Sequence, residues 1–291
     1  MSQNPLPVTV VVPTIGRSAI LRECLESVVA CRPRAAEILV VDQSRGPELA
    51  DLVESLASAG VRRVRSDGLG AARCRNDGLR TASHDVVLGL DDDCTVSPDW
   101  VATGHRLAGL RPGAIVTGRV LPVGDPRAVP STIDDPAPRD LTHERRGAFL
   151  YSNNMVLSRA AVLELGGFDE RFGPEEVAED NEFCYRWLKA GGELYYEPEL
   201  VVRHHDWRLP EELERLYVRY ARGEGFFYSK HLRRGDLRML LYLGRTLGAG
   251  ARGLLSAAIK RREAWTDSRR GIFRGLPRGF VDGWRVFGRD A

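Results

Sequence analysis

Short apolar runs alternate with amphipathic stretches along the first 120 residues. The runs are rich in Val, Ile and Leu and read as strands buried on both faces, at residues 8–12, 37–41, 61–65, 85–90 and 114–120. The intervening stretches have helical spacing, at residues 18–30, 47–59 and 70–82 and from Ser97-Pro98 onward. This order predicts an α/β fold with a mostly parallel central sheet and helices on both faces.

The pattern changes at about residue 121. Residues 121–146 are rich in Pro, Asp and Arg without a period, and a loop of that length is usually functional or mobile. Beyond it we predict strands at 149–157, 193–196 and 201–205, and helices at 158–165 and 181–190. The chain after Leu209 is mainly helical, which predicts a core domain over residues 1–208 and a C-terminal extension over 209–291.

Charge changes along the chain near the same boundary. Residues 1–202 contain 22 Lys and Arg against 30 Asp and Glu, whereas residues 203–291 contain 20 against 10. An acidic body with a basic tail predicts two surfaces with different partners. Five Cys without a CxxC pattern indicate reduced thiols, so we expect a cytoplasmic protein.

Asp91, Asp92 and Asp93 directly follow the strand at residues 85–90. Adjacent carboxylates repel one another unless a positive charge neutralises them. Oxygen ligands of this kind suit Mg²⁺ or Mn²⁺, which also bridge to substrate phosphates. The alternative is a solvated acidic turn.

Seven stretches together resemble the inverting glycosyltransferases of family 2, which have the GT-A fold. They span residues 6–206 in the order that the family shows, and each is weak when taken alone. The stretches are VVVPTIGR, ILVVDQS, GLGAARCRNDGL, VVLGLDDDC, GGFDERF, EDNEFCYRWLKAG and VVRHH. The resemblance implies a nucleotide-sugar-binding catalytic domain over residues 1–208.

The resemblance assigns the acidic residues. Asp91 and Asp93 match the DxD motif, so Asp93 would bind the metal and Asp91 would contact the ribose or uridine, with Asp92 able to replace either. Asp42 matches the acceptor for the imide N–H of uracil. An ionised carboxylate only accepts hydrogen bonds, which suits that task. The alternative for Asp42 is a helix cap or turn.

Two further stretches are implied to face the nucleotide. Pro13, Thr14 and Arg17 would form the first nucleotide-facing loop, although Thr14 has the alternative of shaping the turn. Gly70 lets the backbone approach an anion at a helix N-terminus, and Arg73 lies one turn further along.

The general base is implied to lie in the pair Glu179-Asp180, with Asp180 preferred and Glu179 as the fallback. A positioned carboxylate is needed because an acceptor hydroxyl is a poor nucleophile. The alternative is a helix N-terminus that favours negative charge. The family often places a His near the metal or diphosphate. Because His204 and His205 alternate in a strand, only one enters the site, and we favour His204.

The loop GGFDERF resembles the acceptor-side loop of the family, which makes Phe168 and Asp169 acceptor candidates. Its two glycines have the alternative of capping a helix. Trp207 would close over the bound donor.

The C-terminal extension mixes apolar residues with Arg and aromatics over residues 237–262 and 271–290. That composition predicts peripheral contact with an anionic membrane, and the alternative is a helical cap on the core. We predict no nucleic acid partner, since no recognition motif accompanies the basic residues. Residues 217–220 do not match the QxxRW motif of processive synthases, and no run of 18 apolar residues occurs, so we expect transfer of single sugars.

These features predict a metal-dependent, inverting, nonprocessive glycosyltransferase with a UDP-sugar or dTDP-sugar donor, and GDP-mannose is less favoured. The acceptor would be a hydroxyl, on a lipid-linked or small molecule, in cell-surface polysaccharide, glycolipid or natural-product synthesis. The enzyme would be cytoplasmic or peripheral on the inner face of the membrane. Alternatives are a metal-dependent nucleotidyltransferase and a non-catalytic sugar-nucleotide-binding subunit.

Overall fold

A computed structural model describes residues 4–44, 46, 49–125, 129, 131–143, 151–174, 177–205, 210–260 and 266–288. The predicted donor-closing residue Trp207 lies outside the described residues. By its packing the chain divides into two compact units, Met1–Asp169 with Phe183–Trp207, and Glu170–Glu182 with Arg208–Ala291. The predicted boundary after residue 208 differs from this division by Arg208 and by the segment Glu170–Glu182.

The first unit contains one mixed sheet. Its described strands have the spatial order β3–β2–β1–β4–β8–β6–β9–β5, and β7 pairs with β9. The strands are β1 (Leu6–Thr14), β2 (Ala35–Asp42), β3 (Val61–Arg65), β4 (Val86–Leu90), β5 (Cys94–Val96), β6 (Ile115–Val123), β7 (Arg139–Asp140), β8 (Asn154–Ser158) and β9 (Leu194–His205).

The sheet is parallel in one half and mixed in the other. Strands β1 to β4 pair in parallel, as their continuous apolar runs predict. Strand β8 is antiparallel to β4 and β6, and β5 and β7 are antiparallel to β9. The short strands β5 and β7 were not predicted, because two or three residues carry no readable period.

Strand β9 corrects the prediction of two separate strands at 193–196 and 201–205. It is continuous but changes register against β6 between Gly118 and Arg119. The buried side chain of Asn154 fills this irregularity, donating to Arg119 O at 3.0 Å and Leu200 O at 2.8 Å. Its Oδ1 accepts from Trp100 Nε1 at 3.0 Å. The register change leaves residues 198–200 of β9 without register partners in β6, and Asn154 satisfies the two carbonyls at this point.

Helices cover both faces of the sheet. Val10 and Val12 of β1 face one apolar cluster, which includes Leu21 and Trp100, whereas Val11 faces the other. This alternation follows from the two-residue period of a strand. The helices are α1 (Ser18–Val29), α2 (Ala50–Ser55), α3 (Ala71–Thr81), α4 (Trp100–Leu110), α5 (Arg159–Glu164) and α6 (Glu179–Lys189).

The second unit is helical, as predicted for the residues after Leu209. Its helices are α7 (Pro210–Arg233), α8 (Arg238–Lys260) and α9 (Thr266–Val286), and the first turn of α6 belongs to it. Phe172 packs against Phe226, with ring centroids 4.9 Å apart, and Phe226 packs against Phe287 at 4.8 Å. These rings tie the segment Glu170–Glu182 to α7 and to the end of α9. No described helix combines the length and the apolar character that crossing a membrane requires.

Candidate active site

The carboxyl ends of β1, β2 and β4 meet at one edge of the sheet. Thr14 and Asp42 are register partners at the ends of β1 and β2. Asp91 follows β4, which pairs in parallel with β1 on its other side. Ligands of open α/β sheets bind at such an edge. Pro13, the residue before Thr14, is a register partner of Val41 within the sheet.

Two arginines offset the charge of the three aspartates. Arg17 pairs with Asp92 and places Nη1 3.6 Å from Asp93 Oδ2. Arg75, which is buried in α3, lies 3.1 Å from Asp91 Oδ1. Arg17, which was predicted to contact the nucleotide, therefore pairs with the aspartates of the acidic cluster. The pairing explains how a buried strand ends in three carboxylates.

Asp92 faces inward. Its side chain is buried and accepts a hydrogen bond from Thr14 Oγ1 at 2.6 Å. Burial raises the pKa of the Asp92 carboxyl to about 6, with Arg17 opposing the shift and Asp93 adding to it. Asp91 remains the most accessible of the three, with 34% of its side chain exposed. Asp91 is thus the member best placed to touch a ligand directly.

The pairing of β5 with β9 brings a histidine to the acidic cluster. Cys94 and His204 are register partners, and His205 N donates to Asp93 O at 2.9 Å. His204 is buried with Nε2 3.3 Å from Asp93 Oδ1, whereas His205 turns to Thr95, with Nε2 2.8 Å from its hydroxyl oxygen. The two side chains thus have different neighbours, as alternation along a strand predicts, and the assignment of His204 to the site stays a prediction.

Asp93 and His204 have the chemistry of a divalent cation site. Their ligand atoms, with the thiol of Cys94, lie within 4.8 Å of one another. His204 Nε2 is buried without an aligned hydrogen bond to any described residue, so this nitrogen has the lone pair that a cation ligand needs. The thiol of Cys94 is a soft ligand, whereas Mg²⁺ and Mn²⁺ prefer oxygen ligands, so Cys94 is the least suited of the three to these cations. The carboxylate and imidazole fit Mg²⁺ or Mn²⁺.

Asp42 is buried and paired. Its Oδ1 accepts from Ser44 N at 2.7 Å, and its Oδ2 contacts Arg63 and, at 3.3 Å, Arg65. Although burial acts to raise it, hydrogen bonds from Ser44 and Arg63 hold the pKa of Asp42 below its usual value. The carboxylate is therefore ionised and accepts hydrogen bonds only.

The glycine-containing turn before α3 is held by a side chain. Gly70 caps the helix with φ of 108°, a conformation that favours glycine. Gln43 accepts from Gly70 N at 3.1 Å and donates to Gly70 O at 2.9 Å. Arg73 is exposed, and its side chain lies over Gly68, where an added Cβ would meet Arg73 Cδ at 2.1 Å. The turn thus places the exposed guanidinium-bearing side chain of Arg73 beside the half-buried N-terminus of α3.

The predicted base pair lies on the first turn of α6, within the second unit. Glu179 is buried, and Asp180 is half-buried with Oδ1 2.8 Å from Asn181 N. Two residues further along, buried Glu182 pairs with Lys230 and lies 3.0 Å from His231 Nε2. Of the pair, Asp180 is the more accessible carboxylate.

The two acceptor candidates of the GGFDERF loop differ in exposure. Phe168 is buried, and its ring centroid lies 4.5 Å from that of Phe183. Its backbone N and O both bind the side chain of Asn76, at 2.9 and 2.8 Å. Asp169 is half-buried. The structure therefore gives the Phe168 side chain a packing role and leaves Asp169 the more accessible.

Sequence reasoning missed three polar residues at this edge. Ser152 Oγ accepts from Arg75 at 2.9 Å, and Asn153 Nδ2 lies 3.5 Å from His204 Nδ1. Asn153 Oδ1 is buried without a hydrogen-bond partner among the described residues. Gln43, the third, clamps Gly70 as described above. The available signal was the polar run Ser152-Asn153-Asn154 at the start of an otherwise apolar strand.

A family profile matches the part of the chain that holds most of β1 and all of β2, β3 and β4, whose carboxyl ends lie at this edge. The profile named glycosyl transferase family 2 matches residues 9–157, just over half of the chain. The chain belongs to glycosyl transferase family 2. The match covers the segments of Thr14, Asp42 and Asp91 to Asp93, and confirms the resemblance carried by the sequence motifs.

Two curated relatives of this family 2 chain are glycosyltransferases. The pre-mycofactocin glycosyltransferase of Mycobacterium tuberculosis is 29% identical over 208 residues, which are 68% of this chain and 42% of the relative. The glucosyl-dolichyl phosphate glucuronosyltransferase of Haloferax volcanii is 27% identical over 214 residues, with 68% of each chain covered. The chain thus aligns with less than half of the mycobacterial protein.

Solved structures confirm the GT-A fold. The mannosyltransferase PcManGT of Pyrobaculum calidifontis, in complex with GDP-Man and Mn²⁺, has a TM-score of 0.66 at 17% identity, over 97% of this chain and 89% of its own. GalNAc-T7 with UDP, GalNAc and Mn²⁺ has a TM-score of 0.58 at 20% identity, over 79% of this chain and 51% of its own. The mixed sheet with its flanking helices is therefore that of GT-A glycosyltransferases.

Proposed function

We propose that this chain is a glycosyltransferase that moves one sugar from a nucleoside diphosphate sugar to an acceptor hydroxyl, with inversion at the anomeric carbon and with Mg²⁺ or Mn²⁺. The observation that carries the proposal is the buried contact between His204 and Asp93 at the edge where Asp91 is half-buried. Mn²⁺ together with a nucleotide or nucleotide sugar in both solved neighbours supports this assignment.

Each residue of the edge has a proposed task toward the donor. Asp93 and His204 hold the cation, which when bound supplies positive charge to the diphosphate. Asp91 accepts from the ribose hydroxyls or the base, because it is the accessible carboxylate of the cluster. Ionised Asp42 stays the predicted acceptor for the imide N–H, which favours UDP-sugar or dTDP-sugar donors. Arg73 at the N-terminus of α3 attracts the diphosphate.

Acceptor activation is assigned to Asp180. A general base must reach the attacking hydroxyl, and Asp180 is more accessible than Glu179. The carboxylate takes the hydroxyl proton as the oxygen attacks the anomeric carbon from the face opposite the leaving diphosphate. The bond between the acceptor oxygen and the anomeric carbon forms as the bond between that carbon and the diphosphate oxygen breaks, and the nucleoside diphosphate leaves with the electron pair. Attack from the opposite face inverts the configuration.

The test is release of nucleoside diphosphate from a panel of UDP-, dTDP- and GDP-sugars with Mn²⁺, Mg²⁺ or a chelator. We expect metal-dependent release from one UDP- or dTDP-sugar. Asp93→Asn and Asp180→Asn should each lower the rate about 10²-fold or more. Asp51→Asn, which changes an exposed acid in α2, is the matched control and should keep the rate. Full activity in both site variants would contradict the proposal.

A further inference from the structure

Helix α8 exposes a row of leucines. Leu237, at the turn before α8, is 67% exposed, and Leu240, Leu241 and Leu255 within the helix are 51%, 62% and 63% exposed. At 100° per residue these four positions fall on one side of the helix, with exposed Gly244 and Ala251 between them. The row extends about 27 Å along the axis, at 1.5 Å per residue. Single exposed leucines are ordinary, but an aligned row marks an interaction surface.

Arginines border this row on one side. Arg238, Arg245 and Arg252 are exposed and recur every seven residues, which keeps them along one edge of the leucine row. The sequence of α8 from Arg238 to Lys260 contains no Asp or Glu. The surface is therefore apolar at its centre and cationic along its edge.

The opposite side of α8 is already in contact with its own unit. Met239 and Gly250 are buried there, and Thr246 Oγ1 lies 3.0 Å from the Tyr228 hydroxyl of α7. The leucine row is thus not the side by which α8 packs within the second unit. The packing of α8 within the second unit therefore leaves the leucine row exposed.

We propose that the leucine row of α8 lies on an anionic lipid bilayer. An amphipathic helix of low overall hydropathy with cationic residues beside its apolar side binds in the interface plane, with the leucines among the acyl chains and the arginines at lipid phosphates. Spanning is not required, in agreement with the absence of a membrane-crossing helix among the described residues.

Charge favours a bilayer over a second copy of this chain. A two-fold contact through the same surface would bring Arg238, Arg245 and Arg252 near the same arginines of the partner, without acids in α8 to pair with them. An anionic bilayer supplies the complementary charge along the whole edge. The inference rests on α8 alone and is independent of the proposed transferase activity.

The experiment is cosedimentation of the full chain with vesicles of phosphatidylcholine, with and without an equal amount of phosphatidylglycerol. We expect binding to the anionic vesicles that weakens as salt is raised. Leu240→Gln with Leu241→Gln should weaken binding by about a hundredfold, roughly tenfold per leucine. Arg238→Gln with Arg245→Gln and Arg252→Gln should weaken it by about a hundredfold as well, roughly fivefold per arginine.

Matched control variants distinguish an effect of the α8 surface from an effect of the protein's total charge or total hydropathy. Leu110→Gln removes a leucine of α4 that is 62% exposed, and Arg22→Gln with Arg80→Gln and Arg106→Gln removes the same charge elsewhere. Both controls should bind as the wild type does. Equal weakening in controls and α8 variants would overturn the proposal. So would lack of vesicle binding combined with a dimer in gel filtration that the leucine variants dissociate.

Discussion

Arg17 and Arg75 show how single residues make the acidic edge stable. Arg17 lies directly before α1 and pairs with Asp92, and Arg75 lies within α3 and pairs with Asp91. Because their partners are buried or half-buried, the charges are screened little by water. The same cations that stabilise the cluster leave Asp91 accessible for a ligand.

Glu37 is a buried carboxylate of a different kind, in β2. It accepts from Thr9 Oγ1 at 2.7 Å and from Ser83 N at 2.8 Å, and it pairs with Arg62. Although burial acts to raise it, these hydrogen bonds lower the pKa of Glu37 to about 2 from its ordinary 4.5. All its partners are structural, so Glu37 contributes to folding and not to the site.

Glu37 gives a prediction about pH. Because its folded pKa is lowered, its stabilisation is complete above the unfolded pKa and is lost as the pH falls from about 5 toward 2. The shift corresponds to about 3 kcal/mol at pH 7. Glu37→Gln should therefore lower the free energy of unfolding by about 2–3 kcal/mol at pH 7, and the difference from wild type should shrink at pH 4.

Urea unfolding at pH 7, 5 and 4 measures this difference. Glu26→Gln, in an exposed pair with Arg22, should stay within about 0.5 kcal/mol of wild type at each pH. A Glu37→Gln deficit that is the same at pH 7 and pH 4 would show that lost packing, not ionisation, explains the variant.

Residues at the site were predictable where strand ends and motifs coincide. The ends of buried apolar runs can be located from the sequence without knowledge of tertiary contacts. The residues placed in this way are Asp42, Asp91, Asp93 and His204. Their partners were not predictable. The pairing of Asp42 with Arg63 depends on the lateral register of β2 and β3, which the sequence pattern alone does not encode.

At the scale of elements, the first half of the fold was predicted well because its strands are uninterrupted apolar runs. The second half was predicted less well. Strand β9 was split in two because Glu197 to Glu199 interrupt its apolar pattern, and its continuity depends on Asn154 satisfying Arg119 O and Leu200 O. Such a tertiary hydrogen bond overrides the local period.

The first turn of α6 is held by a buried ion pair. Glu182 is fully buried, Lys230 of α7 is 2% exposed, and the ammonium lies 5.8 Å from the Phe172 ring centroid. A buried charge without its partner is costly, whereas removal of both charges is often tolerated. The pair fixes the helical turn that also carries Asp180.

We therefore expect Lys230→Met to lower the free energy of unfolding by about 3–5 kcal/mol. The double variant with Glu182→Met should lose much less than the sum of the two single losses, because no charge is left unpaired. Arg106→Met, which breaks the half-exposed pair with Glu199, is the control and should cost under about 1 kcal/mol. Additive losses in the double-mutant cycle would refute the coupling of Glu182 and Lys230.

At the scale of the whole molecule, the change from acidic to basic sequence coincides only in part with the division into two units. The basic C-terminal helices and the acidic segment Glu170–Glu182 belong to one unit, joined through Phe172 and Phe226 as well as through Glu182. Sequence alone assigned that segment to the core, because a long-range contact between residue 172 and residue 226 leaves no local pattern. A unit that consists of two separate stretches of the chain can be recognised only from the tertiary structure.

In the proposed function, a cation held by Asp93 and His204 would recruit the nucleotide. The direct measurement is calorimetric titration of UDP and dTDP into the protein with Mn²⁺ and with a chelator. We predict that one of them binds at least about tenfold more tightly with Mn²⁺, and that Asp93→Asn abolishes this gain while leaving the unfolding midpoint near that of wild type. Equal affinity with and without Mn²⁺, or a full metal effect in Asp93→Asn, would contradict the account.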